Sequence, residues 1–136
     1  MDNKQLYQIF LTLADHIEGN QGYWEFALND VKCICITDEL HNRMRIMAPI
    51  KEQGSMSLQE YEKCMEANFH SALDVRYAVS SNVLMAVFMH PLRELSAFQV
   101  EDALQQIHSA VKTYGTTHSS SNLYFPTKED RRNGMN

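Results

Sequence analysis

The sequence predicts an α+β domain, with three helices and an antiparallel sheet in the order α-β-β-β-α-β-β-α. Two observations carry this. Apolar residues recur at helical spacing in three segments, and at a period of two or as short apolar runs in five others. Two of the three helical segments also open on a capping box. Strands that follow one another through tight turns, with helices between the groups, give α+β rather than a parallel α/β fold.

The first helical segment runs from Asn3 to Glu18, with Leu6, Phe10, Leu13 and Ile17 along one stripe. Gly19 follows as a C-terminal cap, because glycine enters the left-handed region without penalty. At Tyr23 the period changes to two. Trp24, Phe26 and Leu28 then face one way, and Tyr23, Glu25 and Ala27 the other. Asn29-Asp30 makes a hairpin turn, since both residues tolerate positive φ. Val31–Thr37 is a second strand, β-branched and cysteine-rich. Arg43–Ile50 is a third, with Met44, Ile46 and Ala48 opposed to Arg43, Arg45 and Met47. These strands form an antiparallel meander.

Residues 49–56 read as a loop. Ser57-Leu-Gln-Glu60 is a capping box, and the second helix carries Leu58, Tyr61, Met65, Phe69 and Ala72. Val75–Val79 is a strand and Ser80-Ser81-Asn82 a turn. Val83–Met89 is a nearly continuous apolar strand, the pattern of a central strand covered on both faces. Ser96-Ala-Phe-Gln99 is a second capping box. It opens a helix from Ala97 to Tyr114 with the stripe Val100, Leu104, Ile107, Val111, Tyr114, and Gly115 ends it. Residues 1–115 therefore form one domain. Residues 116–136 form a polar tail, loosely ordered, in which Leu123, Tyr124 and Phe125 dock back, add an edge strand or stay free.

The chain has 136 residues, enough for one domain with a real core. Its net charge of −5 argues against nucleic acid, whose affinity comes largely from neutralising phosphates with Lys and Arg. It argues equally against an anionic membrane surface. No basic region followed by an apolar core opens the chain, and no stretch approaches the ~18 apolar residues of a span. A cytoplasmic location is the expectation. The cysteines, Cys33, Cys35 and Cys64, read as reduced core thiols, because C-x-C lacks the spacing of a redox or zinc pair.

The search for chemistry finds little. His16, His41, His70, His90, His108 and His118 pair with no other His or Cys at metal-ligand spacing. Cys64 and His70 share a helix but lie on different faces, so they make no nucleophile–base pair. No glycine-rich loop precedes a helix to cradle phosphate. Neither an enzyme nor a cofactor is expected. The eight methionines point toward binding, since methionine is flexible and suits adaptable surfaces. Three helices cannot cover both faces of such a sheet, so some apolar surface is left for a partner or a second copy.

The element order, over Gln5–Gly115, resembles the small acidic chaperones of the Tir chaperone family, which serve type III secretion systems. Glu66-Ala-Asn-Phe69 is similar to the family's aliphatic-x-Ala-Asn stretch at the end of the second helix. Val87-Phe-Met-His-Pro-Leu92 is similar to its apolar strand leading into the last helix. Trp24 and Tyr124-Phe125 depart from the family's features.

The resemblance implies a homodimer built on the second helix and the nearby strand, with Tyr61, Met65 and Phe69 at the interface. The alternative is that these three pack on their own sheet. Asn68, within that stripe, either fixes register at the interface or braces the following loop. The implied activity is binding without catalysis, and without ATP. An extended client segment adds hydrogen bonds at a strand edge and places apolar side chains in shallow grooves. The edges expected are the first or third strand of the meander. The client contacts are Ile34, Ile36, Met44 and Met47, with the exposed flank of the first helix. A second reading keeps the fold but not the client: a stand-alone structural or regulatory module.

Overall fold

The computed structural model describes residues 1–121 and 132–134. The elements are α1 (Asn3–Leu13), β1 (Asp15–Asn20), β2 (Tyr23–Leu28), β3 (Val31–Asp38), β4 (Arg43–Glu52), α2 (Leu58–His70), β5 (Arg76–Ser80), β6 (Val83–His90) and α3 (Ala97–Thr113). The six strands form one antiparallel sheet in the order β1-β2-β3-β4-β6-β5.

The α+β architecture with three helices is as the sequence predicts, with one strand more. The first helix stops at Leu13, and residues 15–20 form β1 against β2. Asp15 and His16 are indifferent helix formers, and a ladder with β2 satisfies more backbone than one further helical turn. Ile17 packs on the core from the strand, so one apolar residue served both readings. Gly19 is not a helix cap. It lies in β1 opposite Trp24 at φ +113°, where a Cβ would stand 2.2 Å from the Tyr23 carbonyl oxygen. The chain turns at Gln21-Gly22, with Gly22 at φ +90°.

Both expected capping boxes are present. The Ser57 and Ser96 hydroxyls accept from the Glu60 and Gln99 amides, whose side chains accept from the Ser57 and Ser96 amides. A third box, Asp2 with Gln5, starts α1. An Asp-x-x-Gln spacing at the chain start carries the same signal as the other two.

All three helices feed one core on one face of the sheet. Leu6 and Phe10 of α1 meet Trp24 and Phe26, whose rings lie 5.9 and 4.4 Å from Phe10. Val100, Ala103, Leu104, Ile107 and Ala110 of α3 cover β4 and β6, and Cys64 and Ala67 of α2 close the β5 side. β6 is internal to the sheet, as its apolar run predicts, but it is covered on one face only. Leu84, Ala86 and Phe88 enter the core, whereas Met85, Val87 and Met89 point the other way, Val87 buried as part of the floor and Met89 58% exposed.

Beyond Gly115 the chain does not leave the body at once. Ser71 Oγ donates to the His118 carbonyl at 2.6 Å, the Leu73 amide to Ser120 Oγ at 2.6 Å, and Ser109 Oγ to the Ser119 carbonyl at 3.0 Å. His118 and Ser120 are buried. Leu123, Tyr124 and Phe125 lie outside the described residues.

Candidate functional site

Two apolar surfaces remain after the core is formed. The first is the helix-free face of the sheet. The register places Glu25, Ile34, Met47, Val87 and Arg76 in one row across the strands, and Tyr23, Ile36, Arg45 and Met89 in the next. Pro49, Met85 and Ala78 form a third row on the side of Met47 away from Arg45. Ile34, Met47 and Met85 are half-buried by their neighbours, and Ile36 is 39% exposed. Neighbouring strands lie ~4.8 Å apart and residues rise ~3.3 Å along a strand, so the apolar centre measures roughly 10 by 13 Å.

Of the expected client contacts, Ile34, Ile36 and Met47 meet on this face. Met44 does not, which corrects the sequence reading. It alternates with Met47 along β4, packs in the core and is 1% exposed. A client reaches it only by unpacking the sheet from the helices. The expected edges are also displaced. The first strand of the meander, β2, is flanked by β1, and the third, β4, is flanked by β6. The edges are β1 and β5, because the added strand covers one side and the β5–β6 hairpin pairs through β6.

The two edges differ. β1 is exposed along nearly its whole length, carries Asp15 and Glu18, and is bulged between them, with His16 at φ 53°. Charge and a bulge discourage indiscriminate strand pairing. β5 is closed near its start by a side chain. Asn68 Nδ2 donates to the Tyr77 carbonyl at 2.9 Å, and the Tyr77 amide donates to Asn68 Oδ1 at 2.8 Å. The amide thus takes the place of a neighbouring strand at one residue. Gln106, buried on α3, secures the entry to the same strand. Its Oε1 accepts from the Asp74 and Val75 amides, both at 3.0 Å, and its Nε2 donates to Asp102 at 2.7 Å.

The second surface is the outer side of α2. Leu58, Met65 and Phe69 are 73%, 71% and 72% exposed, with half-buried Tyr61 on the same stripe. Leu58, Met65 and Phe69 do not pack on their own sheet. Small residues, Cys64 and Ala67, form the buried side of α2, which lets the helix approach closely enough for Asn68 to reach β5. Of the four residues expected at an interface, Met65 and Phe69 face outward, Tyr61 is half-buried, and Asn68 is engaged within its own chain.

The titratable groups act as ties between elements. Glu60 accepts from Lys51 Nζ at 2.9 Å and from the Tyr114 hydroxyl, joining the end of β4, the start of α2 and the end of α3. The Lys51 and Tyr114 donors hold the Glu60 carboxyl down at about 2. Burial, with the Glu60 charge beside it, pushes the Tyr114 hydroxyl up. Burial raises the Cys33 thiol to about 12 and pushes Cys35 and Cys64 up as well, so none is a ready thiolate. Among the described residues, no three His, Cys, Asp or Glu side chains converge on a metal position, and no helix is long and apolar enough to cross a membrane.

No protein-family model matches the chain, and no curated protein matches it in sequence. Solved structures do match it in fold. One is a chain of the HopA1–SchA chaperone–effector complex, with a TM-score of 0.57 and 10% identity, covering 81% of this chain and 95% of that one. Another is a chain of the Yersinia pestis type III secretion chaperone SycH in complex with a stable fragment of YscM2, with a TM-score of 0.61 and 15% identity, covering 82% of this chain and 98% of that one. At such identities the likeness concerns the fold, which is that of secretion-chaperone structures.

Proposed function

We propose that this chain is a non-catalytic chaperone or adaptor of the Tir chaperone type, a cytoplasmic homodimer that holds an extended segment of a client protein. The observation that carries the reading is a shared fold, over four-fifths of the chain, with chains taken from chaperone complexes. Two separate apolar surfaces support it. The outer stripe of α2, with Tyr61, Met65 and Phe69, serves self-association. The open sheet face, with Ile34, Ile36 and Met47, serves the client, and β1 offers backbone groups for an added strand. Asn68 stands outside the interface, as a brace between α2 and β5 within its own chain. The folded unit is residues 1–115, and the segment from 116 is an appendage whose first residues are fastened to the α2–β5 turn.

The test has two parts. Sedimentation of the purified chain and of its Met65→Glu and Phe69→Glu variants reads self-association. A dimer that becomes a folded monomer is expected, and unchanged dimers sink the α2 interface. Capture of partners from the native lysate, followed by limited proteolysis, reads the client. One abundant partner protected over an extended segment is expected. Recovery of the chain by itself, across growth conditions, moves the assignment to the stand-alone module.

A further inference from the structure

The open sheet face separates its charges by strand, with cations on β3, β4 and β5 and most of its carboxylates on β1 and β2. The chain carries net charge −5, yet Lys32, Arg43, Arg45 and Arg76 all stand on this face. All four are exposed, and among the described residues none forms an ion pair. Arg76 donates Nε to the Leu73 carbonyl at 3.1 Å, which aims its guanidinium without neutralising it. The carboxylates on the same face lie at its margins, Asp15, Glu18 and Glu25 on β1 and β2, Asp38 opposite Arg43 at the end of β3, and Glu52 at the end of β4. Glu25 accepts from the Tyr23 hydroxyl at 3.3 Å and Asp38 from His41, while Glu52 lies beyond the irregular pairing at residues 49–51.

The register fixes where the cations stand. Arg45 lies between Ile36 and Met89, and Arg76 ends the row of Ile34, Met47 and Val87. On the opposite side, Glu18 pairs with Glu25, so the row runs from acid at β1 and β2, through an apolar centre, to base at β5. An ion pair formed beside an apolar floor is screened less than one in open solvent. Guanidinium also suits carboxylate better than ammonium does, because its fork donates to both oxygens.

We infer that the open sheet face is a docking site for an acidic apolar peptide segment, one in which carboxylates flank two or three large apolar side chains. The apolar residues seat on Ile34, Met47, Val87 and Met89, and the carboxylates go to Arg45 and Arg76. Glu18 and Glu25 exclude carboxylates from the other end and so give the segment a direction. The inference rests on the client-binding reading and specifies the chemistry of what binds there.

The experiment uses the full chain and three fluorescein-labelled peptides of about 12 residues, long enough to span the sheet. In each, Leu and Phe alternate with one polar residue, which is Glu in the first, Gln in the second and Lys in the third. Fluorescence anisotropy reads binding. The Glu peptide is expected to bind about tenfold more tightly than the Gln peptide, as two partly desolvated ion pairs allow, and the Lys peptide more weakly still. The margin shrinks as salt rises from ~0.05 to ~0.3 M, because the Debye length shortens. Arg45→Glu/Arg76→Glu reverses the order, and Met47→Glu removes binding of all three. These side chains point away from the core, and unchanged circular dichroism and melting confirm that the variants fold.

Equal binding of the three peptides overturns the inference, as does an order that survives in Arg45→Glu/Arg76→Glu. So does a loss of self-association in Met47→Glu, which assigns the face to a second copy. A native client captured equally by wild type and by Arg45→Glu/Arg76→Glu removes the acidic preference and leaves the client reading standing. The expected peptide order, with no client captured from any lysate, keeps this inference and removes the client reading.

Discussion

Asn68→Ala separates an internal brace from an interface contact. Asn68 makes two hydrogen bonds to the backbone of Tyr77, at 2.9 and 2.8 Å. Tyr77 is buried, so water does not readily replace the lost amide. A typical net hydrogen bond is worth about 1 kcal/mol, and a polar group left unsatisfied costs more than that mean. The expected loss is therefore about 2 kcal/mol, within roughly 1–3. At a urea dependence near ~2 kcal/mol per M, the unfolding midpoint falls by about 1 M. Because both bonds lie within one chain, the loss is independent of protein concentration, whereas loss of an interface contact is not. Urea titrations at two widely separated protein concentrations measure both quantities. Hydrogen exchange gives a local check, since the Tyr77 amide loses its partner. A midpoint shift below ~0.3 M, or one that depends on concentration, refutes the reasoning.

The faces of β4 make a paired prediction. Met44→Ala removes a buried side chain and costs about 2–5 kcal/mol, whereas Met47→Ala, on the open face, costs less and leaves the core intact; thermal melts compare the two. The Glu60 tie gives a pH dependence. Its folded carboxyl lies at about 2, below its ordinary 4.5, so its contribution is complete above about 4.5 and is lost as pH falls toward 2. Glu60→Gln flattens that part of an acid-unfolding profile, and a profile identical to wild type removes the tie from the account of stability.

Much of the scaffold is legible along the chain. The capping boxes at Ser57 and Ser96 mark helix starts because their hydrogen bonds are local, closing within three residues. The alternation of β2, β3 and β4 marks which side chains share a face, and so separates Met44 from Met47. β1 is the informative failure. Ile17 satisfies a helical stripe and a strand alike, and the decision belongs to β2, which offers a ladder to residues 15–20. The Gln21-Gly22 turn is the local signal that marks it.

The candidate surfaces divide in the same way. The sequence by itself determined the class, the three helices, the face alternation of the strands and the presence of more apolar stripe than one core absorbs. Periodicity is a property of neighbours in the chain, so it survives without knowledge of the fold. Only the tertiary structure decided that Leu58, Met65 and Phe69 face outward while Cys64 and Ala67 face in. It also decided that Asn68 serves β5, that β1 and β5 are the edges, and that Arg45 and Arg76 bracket the apolar centre of the open face. Each of these depends on which distant segment pairs with which. Burial and charge complementarity arise between elements, and the sequence order of those elements does not state their order in the sheet.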